Sequence, residues 1–278
     1  KERIDRFLDM AAGNAIRTMF VFFDDCWRND PQPGKQPEPV LGQHNSGWLQ
    51  SPGDAVAQDP SQWGRLEDYI KDILFTSGSD DRVLLWDLYN EPGNYFFQLR
   101  DVAMPWKLPT FLYMLFKERF VPTQALPLVR ETFKWAREAN PSQPLTAGIY
   151  LWNRALNNFL LEESDVVSFH NYMNVAKLAK QIKDLKKHGR PLFCTEYMAR
   201  TSGSCFDTHL PIFKEEKIAC YNWGFVFGKT QTIYPWTKHG QPGVEPPLWF
   251  HDIFRQDGTP YRREEVKTKR SLTGKGRE

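Results

Sequence analysis

Two glutamates stand where apolar runs of the sequence end. Glu91 follows the run "VLLWDLYN" and precedes Pro92, and Glu196 lies near the end of the run "PLFCTEY". Two carboxyl groups can hydrolyse a glycosidic bond when one is protonated for the leaving oxygen and the other is ionised on the opposite face of the sugar. A separation of about 5 to 5.5 Å between them gives retention of configuration through a covalent intermediate. Glu91 and Glu196 are therefore candidates for these two roles.

Other polar residues occupy the same kind of position, just past an apolar run. They are Asp24, Asp25, Asn90, His170, Tyr172 and Tyr197. In β/α barrels the residues that do chemistry lie at the carboxyl ends of the strands. No glycine-rich phosphate-binding motif follows any of these runs, which removes the main support for a nucleotide-binding, doubly wound sheet. The placement of the polar residues therefore favours a barrel.

Strand-like and helix-like segments alternate along the chain. Strands are predicted at 16–23, 82–89, 145–150, 166–172, 191–197 and 220–228. Helices are predicted at the start of the sequence and at 59–78, 122–140, 157–164, 176–189, 210–218 and around 261–272. Strands that are apolar throughout are typical of parallel strands covered on both faces, and the regular β-then-α order indicates an α/β fold. We predict one domain, residues 1–278.

The composition is that of an ordinary globular protein. The 278 residues include 41% hydrophobic and 25% charged residues, with a formal net charge of +2, which gives no reason to expect nucleic acid or a membrane as a partner. No apolar run reaches the roughly 18 residues that span a bilayer, and no signal peptide is recognised. The four cysteines lack metal-ligand spacing, so we expect no zinc. The sequence does not decide whether they form disulfides.

Three short motifs, "NEP" at 90–92, "HNY" at 170–172 and "TEY" at 195–197, resemble clan A of the retaining glycoside hydrolases. The stretches "LLWDLYNEP", "DDCW" and "HNSGW" look most like family 5-type cellulases and related β-glycanases. The resemblance implies a (β/α)8 TIM barrel in which the acid/base follows the fourth strand and the nucleophile follows the seventh.

By this resemblance Glu91 is the acid/base and Glu196 is the nucleophile. Asn90 holds the sugar 2-hydroxyl, and Tyr172 donates a hydrogen bond to Glu196 that helps keep its carboxylate ionised. The same register makes the countable strands the third to the eighth of a barrel, so we expect an incomplete barrel of about six parallel strands. The clan's arginine near the nucleophile, carried by the second strand, then has no counterpart. Exposed sheet edges invite a second copy, which predicts a possible homo-oligomer.

Several residues are candidates for binding sugar. The resemblance places His170 in the sugar cleft, whereas Asp24 and Asp25 either bind hydroxyls or cap the following loop. Indole faces can stack on pyranose rings, and ten tryptophans are present, of which more than half are expected to pack in the core. The stacking candidates in loops are Trp27, Trp48, Trp152 and Trp236. Trp223 lies inside the last predicted strand, which favours core packing, although the clan often has a tryptophan under the reacting sugar there.

The predicted function is hydrolysis of a β-linked polysaccharide or oligosaccharide, as in cellulases, xylanases and mannanases, by double displacement and without a cofactor or metal. Secretion or a periplasmic location follows from the resemblance alone. An alternative is a carbohydrate-binding protein that retains the cleft and has lost catalysis. A metal-dependent barrel hydrolase is less favoured, because no His-x-His pair follows an early strand and His209 beside Asp207 has no further ligands.

Overall fold

In the computed structural model, the described residues are 1–94, 123–149, 153–236 and 240–274. They divide into two compact units, one made of residues 1–32 and 49–167 and the other of residues 33–48 and 168–278. The predicted single domain stays a prediction.

The first unit contains a parallel sheet with helices. Its strands are β1 (Thr18–Asp24), β2 (Val83–Asn90) and β3 (Leu145–Thr146), in the order β1-β2-β3. Its helices are α1 (Glu2–Gly13), α2 (Asp54–Ala57), α3 (Gly64–Ser77), α4 (Leu126–Ala139) and α5 (Arg154–Glu163), with a 3-10 turn at Pro60–Gln62. Both strand pairs are parallel, and Asp24 pairs with Asn90, so β1 and β2 end at the same level.

Apolar spacing explains which helix faces are buried in this unit. In α4, Val129, Phe133 and Ala136 recur at helical spacing and are fully buried, and this helix packs on α3 and β2. In α1 the apolar residues are only partly buried. Leu8 and Ala11 are buried, but Phe7 remains 47% exposed and contacts the ring of Phe20 from outside the core.

The second unit contains the strands β4 (Val167–His170), β5 (Leu192–Tyr197) and β6 (Ala219–Asn222), in the order β4-β5-β6, with β5 and β6 parallel. Its helices are α6 (Val175–Leu185), α7 (Phe206–Glu215) and α8 (Arg263–Thr273), with 3-10 turns at Lys186–His188 and Arg200–Ser202. Cys194 and Cys220 are register partners on β5 and β6, and all four cysteines are free thiols.

Three predicted strands are clearly shorter in the structure, and one of them, predicted at 166–172, is reduced to Val167–His170. The strand predicted at 220–228 ends at Asn222, because Gly224 adopts a φ of 78° and turns the chain. Phe225 is consequently 61% exposed instead of packed in a sheet. The strand predicted at 145–150 is reduced to Leu145–Thr146, and its last residue, Tyr150, lies outside the described residues, as does Pro122 at the start of the helix predicted at 122–140.

The predicted α/β class with parallel strands is confirmed, and the part of the chain that the structure describes has six strands. Closure of these strands into a barrel stays a prediction. Among the helices of the described residues, none combines the length and the hydropathy needed to cross a bilayer.

Candidate functional site

Glu91 is the first residue beyond β2, and its backbone conformation is unusual. Its φ is 45°, a left-handed value that few non-glycine residues adopt, and Gly93 follows with a φ of 79°. Pro92 between them cannot donate to the sheet. The strand therefore stops, and the chain turns sharply at the carboxylate, which is half-buried. Left-handed residues of this kind cluster at functional sites, where neighbouring contacts hold them in place.

Two side chains donate hydrogen bonds to one oxygen of Glu91. The Cys26 thiol lies 3.1 Å from Glu91 Oε2, and the Asn94 amide donates to the same oxygen. Cys26 and Asn94 are both buried. Asn90, the predicted ligand of a sugar hydroxyl, donates from Nδ2 to Asp24 Oδ1 at 3.2 Å. The predicted residues Asp24, Asn90 and Glu91 thus belong to one polar cluster of the first unit, which also contains Cys26 and Asn94.

Asp25 contacts residues on either side of Asn90 and Glu91 in the sequence. It is 3% exposed, and its carboxylate accepts hydrogen bonds from Tyr89 Oη at 2.7 Å and from the Gly93 backbone N–H at 2.6 Å. Burial raises the pKa of Asp25 from 3.8 to about 7, although these two hydrogen bonds act in the opposite direction. Asp25 is therefore a buried carboxyl that contacts Tyr89 and Gly93, on either side of Glu91, and sugar binding by Asp25 stays a prediction. Asp24 caps the following turn, because its Oδ1 accepts from the backbone N–H of Cys26 at 2.6 Å.

Glu196 lies within β5, and its carboxylate has two ring-bearing neighbours, one at the end of β4 and one just after it. Tyr172 Oη donates to Glu196 Oε2 at 2.6 Å, which is the hydrogen bond that the resemblance implies. His170 Nδ1 lies 3.4 Å from the same oxygen, and the imidazole is buried. The backbone is fixed as well, since Asn171 N–H donates to the Glu196 carbonyl at 2.9 Å. Glu196 is thus a half-buried residue of a strand, and its carboxylate is oriented by the hydrogen bond from the Tyr172 phenol.

Aromatic side chains surround Tyr172 in the second unit. The ring of Trp236 meets the Tyr172 ring edge to face at a centroid distance of 4.8 Å, and His251 packs against both rings. His251 is fully buried, and burial lowers its pKa well below the ordinary value, so the imidazole is neutral. Its Nδ1 is hydrogen-bonded to the Met198 carbonyl.

The remaining tryptophan candidates have different positions. Trp48 and Trp223 form an edge-to-face pair at a centroid distance of 6.4 Å, and both are half-buried. Trp223 lies just past β6, so the prediction that it packs inside a strand is wrong. Trp27 is half-buried in the loop after β1, with a φ of 73°. Trp152 lies outside the described residues.

His209, considered as a metal ligand from sequence, has a structural role. Its Nε2 lies 2.9 Å from the Met173 carbonyl oxygen, and its Nδ1 lies 2.8 Å from Thr208 Oγ1. Both ring nitrogens are therefore engaged within the fold, and burial lowers the pKa of this histidine.

Three residues were not among the candidates from the sequence. Cys26 and Asn94 belong to the polar cluster of the first unit, and His251 belongs to the aromatic group around Tyr172. Cys26 is part of the motif "DDCW", so its position after β1, next to two aspartates, was the available signal. Glu91 belongs to the first unit and Glu196 to the second, and the pairing of the two carboxylates stays a prediction.

Comparisons with known proteins identify similar solved structures. No protein-family profile and no curated protein sequence matches the chain. A β-glucuronidase of Bacteroides uniformis is similar at 13% identity with a TM-score of 0.54, over 92% of this chain and 28% of that one. An agarase is similar at 12% identity and a TM-score of 0.50, over 96% of this chain and 45% of that one. An endo-1,4-β-mannanase of Rhizomucor miehei is similar at 13% identity and a TM-score of 0.51, over 81% of this chain and 67% of that one.

The chain spans less than a third of the β-glucuronidase and less than half of the agarase. At these identities the likeness concerns the fold alone. The chain therefore shares an α/β fold with glycoside hydrolases, and the comparisons do not single out family 5 among them.

Proposed function

We propose that this chain is a catalytic region of a retaining glycoside hydrolase that acts on a β-linked polysaccharide or oligosaccharide. The observation that carries the proposal is the hydrogen bond from Tyr172 Oη to Glu196 Oε2 at 2.6 Å, at the carboxyl end of β5. A donor of this kind favours the ionised form of a carboxyl group, which is the form a nucleophile needs. The fold shared with solved glycoside hydrolases supports the same reading.

The proposed reaction has two displacements. In the first, Glu196 attacks the anomeric carbon while the bond to the leaving oxygen breaks, and Glu91 gives its proton to that oxygen. In the second, a water molecule attacks the same carbon, Glu91 takes the proton from the water, and the Glu196 carboxylate is released. Asn90 is proposed to hold the sugar 2-hydroxyl, a contact that tightens in the transition state. Retention by this route requires the two carboxyl groups to lie about 5 to 5.5 Å apart.

The substrate class is proposed from the aromatic residues and the similar structures. Half-buried Trp48, Trp223 and Trp236 offer indole surface that can stack on sugar rings. The similar structures are those of a mannanase, an agarase and a β-glucuronidase, and the sequence motifs resemble cellulases. A substrate panel should therefore include β-glucan, xylan, mannan, agarose and aryl β-glucuronides. Export from the cytoplasm, as a secreted or periplasmic protein, is part of the same proposal.

The test assigns each glutamate separately. With the aryl β-glycoside of the preferred sugar, Glu196→Ala is expected to lose turnover by about 10⁴-fold or more. Azide should then restore turnover and give the α-glycosyl azide, because azide replaces the nucleophile on the opposite face. Glu91→Ala in azide should give the β-glycosyl azide instead, since the covalent intermediate still forms. Glu162→Gln, at an exposed glutamate of α5, is the matched control and should keep full activity.

Three outcomes contradict the proposal. Undiminished hydrolysis by Glu196→Ala rejects the nucleophile, and identical azide products from both variants reject the division of roles. Calorimetric binding of oligosaccharides by the wild-type protein without any release of reducing sugar establishes the carbohydrate-binding alternative instead.

A further inference from the structure

Cys26 is placed to act on the acid/base group of the proposed reaction. Its sulfur lies 3.1 Å from Glu91 Oε2, although the two residues are 65 positions apart in the sequence. The backbone N–H of Cys26 is fixed by Asp24 Oδ1 at 2.6 Å. The side chain is buried, so the thiol and the carboxylate meet in surroundings where a hydrogen bond is electrostatically stronger than in water.

The neighbours of the sulfur decide the direction of this hydrogen bond. The amide nitrogens of Asn90 and Asn94 each lie 3.5 Å from Cys26 Sγ as donors. A thiol has one hydrogen to give, and its sulfur is a weak acceptor. Because the sulfur accepts from two amide donors, its own S–H hydrogen is directed to the carboxylate oxygen Glu91 Oε2.

Glu91 Oε2 therefore accepts from two donors, the Cys26 thiol and the Asn94 amide. A carboxyl oxygen that accepts two hydrogen bonds is a poor place for the acidic proton, since the proton would meet two other hydrogens. The acidic proton is consequently favoured on Oε1.

We propose that Cys26 is a positioning residue that fixes which oxygen of Glu91 carries the transferred proton. The inference rests on the proposed function for its catalytic meaning. A thiol suits this task because it is a weak donor: it orients the carboxyl group without strongly favouring the ionised form, and the acid step needs the protonated form. Asp24 accepts from Asn90 Nδ2 at 3.2 Å, and Asp25 accepts from Tyr89 Oη at 2.7 Å and from the Gly93 N–H at 2.6 Å.

The first test compares Cys26→Ala with Cys220→Ala, which removes a thiol from β6 in the other unit. Two substrates are used, an oligosaccharide with a poor leaving group and a dinitrophenyl glycoside whose leaving group needs no proton. Cys26→Ala is expected to lower kcat/KM, which reports the first displacement, about tenfold or more on the oligosaccharide and less than threefold on the dinitrophenyl glycoside. A merely structural role would lower both rates equally, and that result overturns the proposal, as does an unchanged oligosaccharide rate.

The second test needs no turnover and so separates this inference from the proposed function. The ¹³C carboxyl resonance of Glu91 is followed against pH in the wild-type, Cys26→Ala and Cys220→Ala proteins. Loss of the thiol is expected to change the pH dependence of this resonance in Cys26→Ala, whereas Cys220→Ala should leave it as in the wild-type protein. If Cys26→Ala does not fold, Cys26→Ser replaces it, and its stronger hydroxyl donor should change the pH dependence in the opposite direction.

Superimposable titrations of wild-type and Cys26 variants overturn the positioning role, whatever the activity. A wild-type protein that hydrolyses nothing on the substrate panel refutes the proposed function, and a shifted titration then still establishes the thiol contact with Glu91.

Discussion

Replacing Glu265 with glutamine is expected to destabilise the second unit strongly, because α8 depends on one buried ion pair. Arg200, with a side chain 1% exposed, is bound by Glu265 through Nε at 2.7 Å and Nη2 at 2.6 Å. The same guanidinium donates to the carbonyl oxygens of Trp249 and Asp252 at 3.0 Å each. No residue of α8 is fully buried, and besides the ion pair Lys269 donates to Asn222 Oδ1 at 3.0 Å and lies over the Phe206 ring.

The size of the effect follows from the burial of Arg200. Removing one partner of a buried pair leaves an uncompensated charge and costs about 3 to 5 kcal/mol. Glu264→Gln is the matched control, since Glu264 is the exposed neighbour in the same first turn of α8. Both variants lose the same favourable interaction with the helix dipole, which is worth about 0.3 to 1 kcal/mol. The difference between them, about 3 to 5 kcal/mol, belongs to the ion pair.

The assay is urea unfolding followed by tryptophan fluorescence, together with the midpoint of thermal unfolding. We expect Tm to fall by about 6 to 20 °C for Glu265→Gln and by less than about 4 °C for the control. A double variant, Arg200→Met with Glu265→Leu, should be more stable than Glu265→Gln, because it leaves no buried charge. Equal losses in Glu265→Gln and Glu264→Gln would refute the reasoning.

Two further predictions concern the turn that carries Glu91. Since burial raises the pKa of Asp25 from 3.8 to about 7, its contribution to stability is full below about pH 4 and is lost as the pH rises toward 7. Urea unfolding at pH 5 and pH 8 should show a fall on the order of a few kcal/mol that Asp25→Asn reduces, and an equal fall in both proteins would contradict it. Gly93→Ala should lower Tm, because a Cβ at Gly93, where φ is 79°, would lie 2.2 Å from Thr123 Oγ1. Thr123→Ala in that background should recover part of the loss, and an unchanged Tm in Gly93→Ala would refute the clash.

Much of the first-order organisation could be predicted from the sequence. The runs around Trp86 and Cys194 are apolar because parallel strands are covered on both faces, and the positions of Glu91 and Glu196 follow from where these runs end. The carboxylate partner of Tyr172 could be predicted as well, but only through the resemblance of its motif to a family.

The rest depends on geometry that local pattern does not contain. The aromatic run after Asn222 has the composition of a strand, yet the turn at Gly224 leaves Phe225 exposed. The contact between Cys26 and Glu91 joins two segments 65 residues apart and requires β1 and β2 to end at the same level. A lone cysteine after a strand carries no pattern from which such a contact can be deduced.

The two proposed catalytic carboxylates lie on different kinds of backbone structure. Glu196 lies inside a hydrogen-bonded strand. Glu91 lies in a turn with a left-handed backbone, and this turn is fixed by the hydrogen bonds that Tyr89 and Gly93 donate to Asp25. In the proposed reaction, substitutions in the turn at residues 91–94 would therefore alter proton delivery while the bond-forming step stays as it is. Leaving-group preference is consequently the property of the proposed enzyme that laboratory evolution should change first.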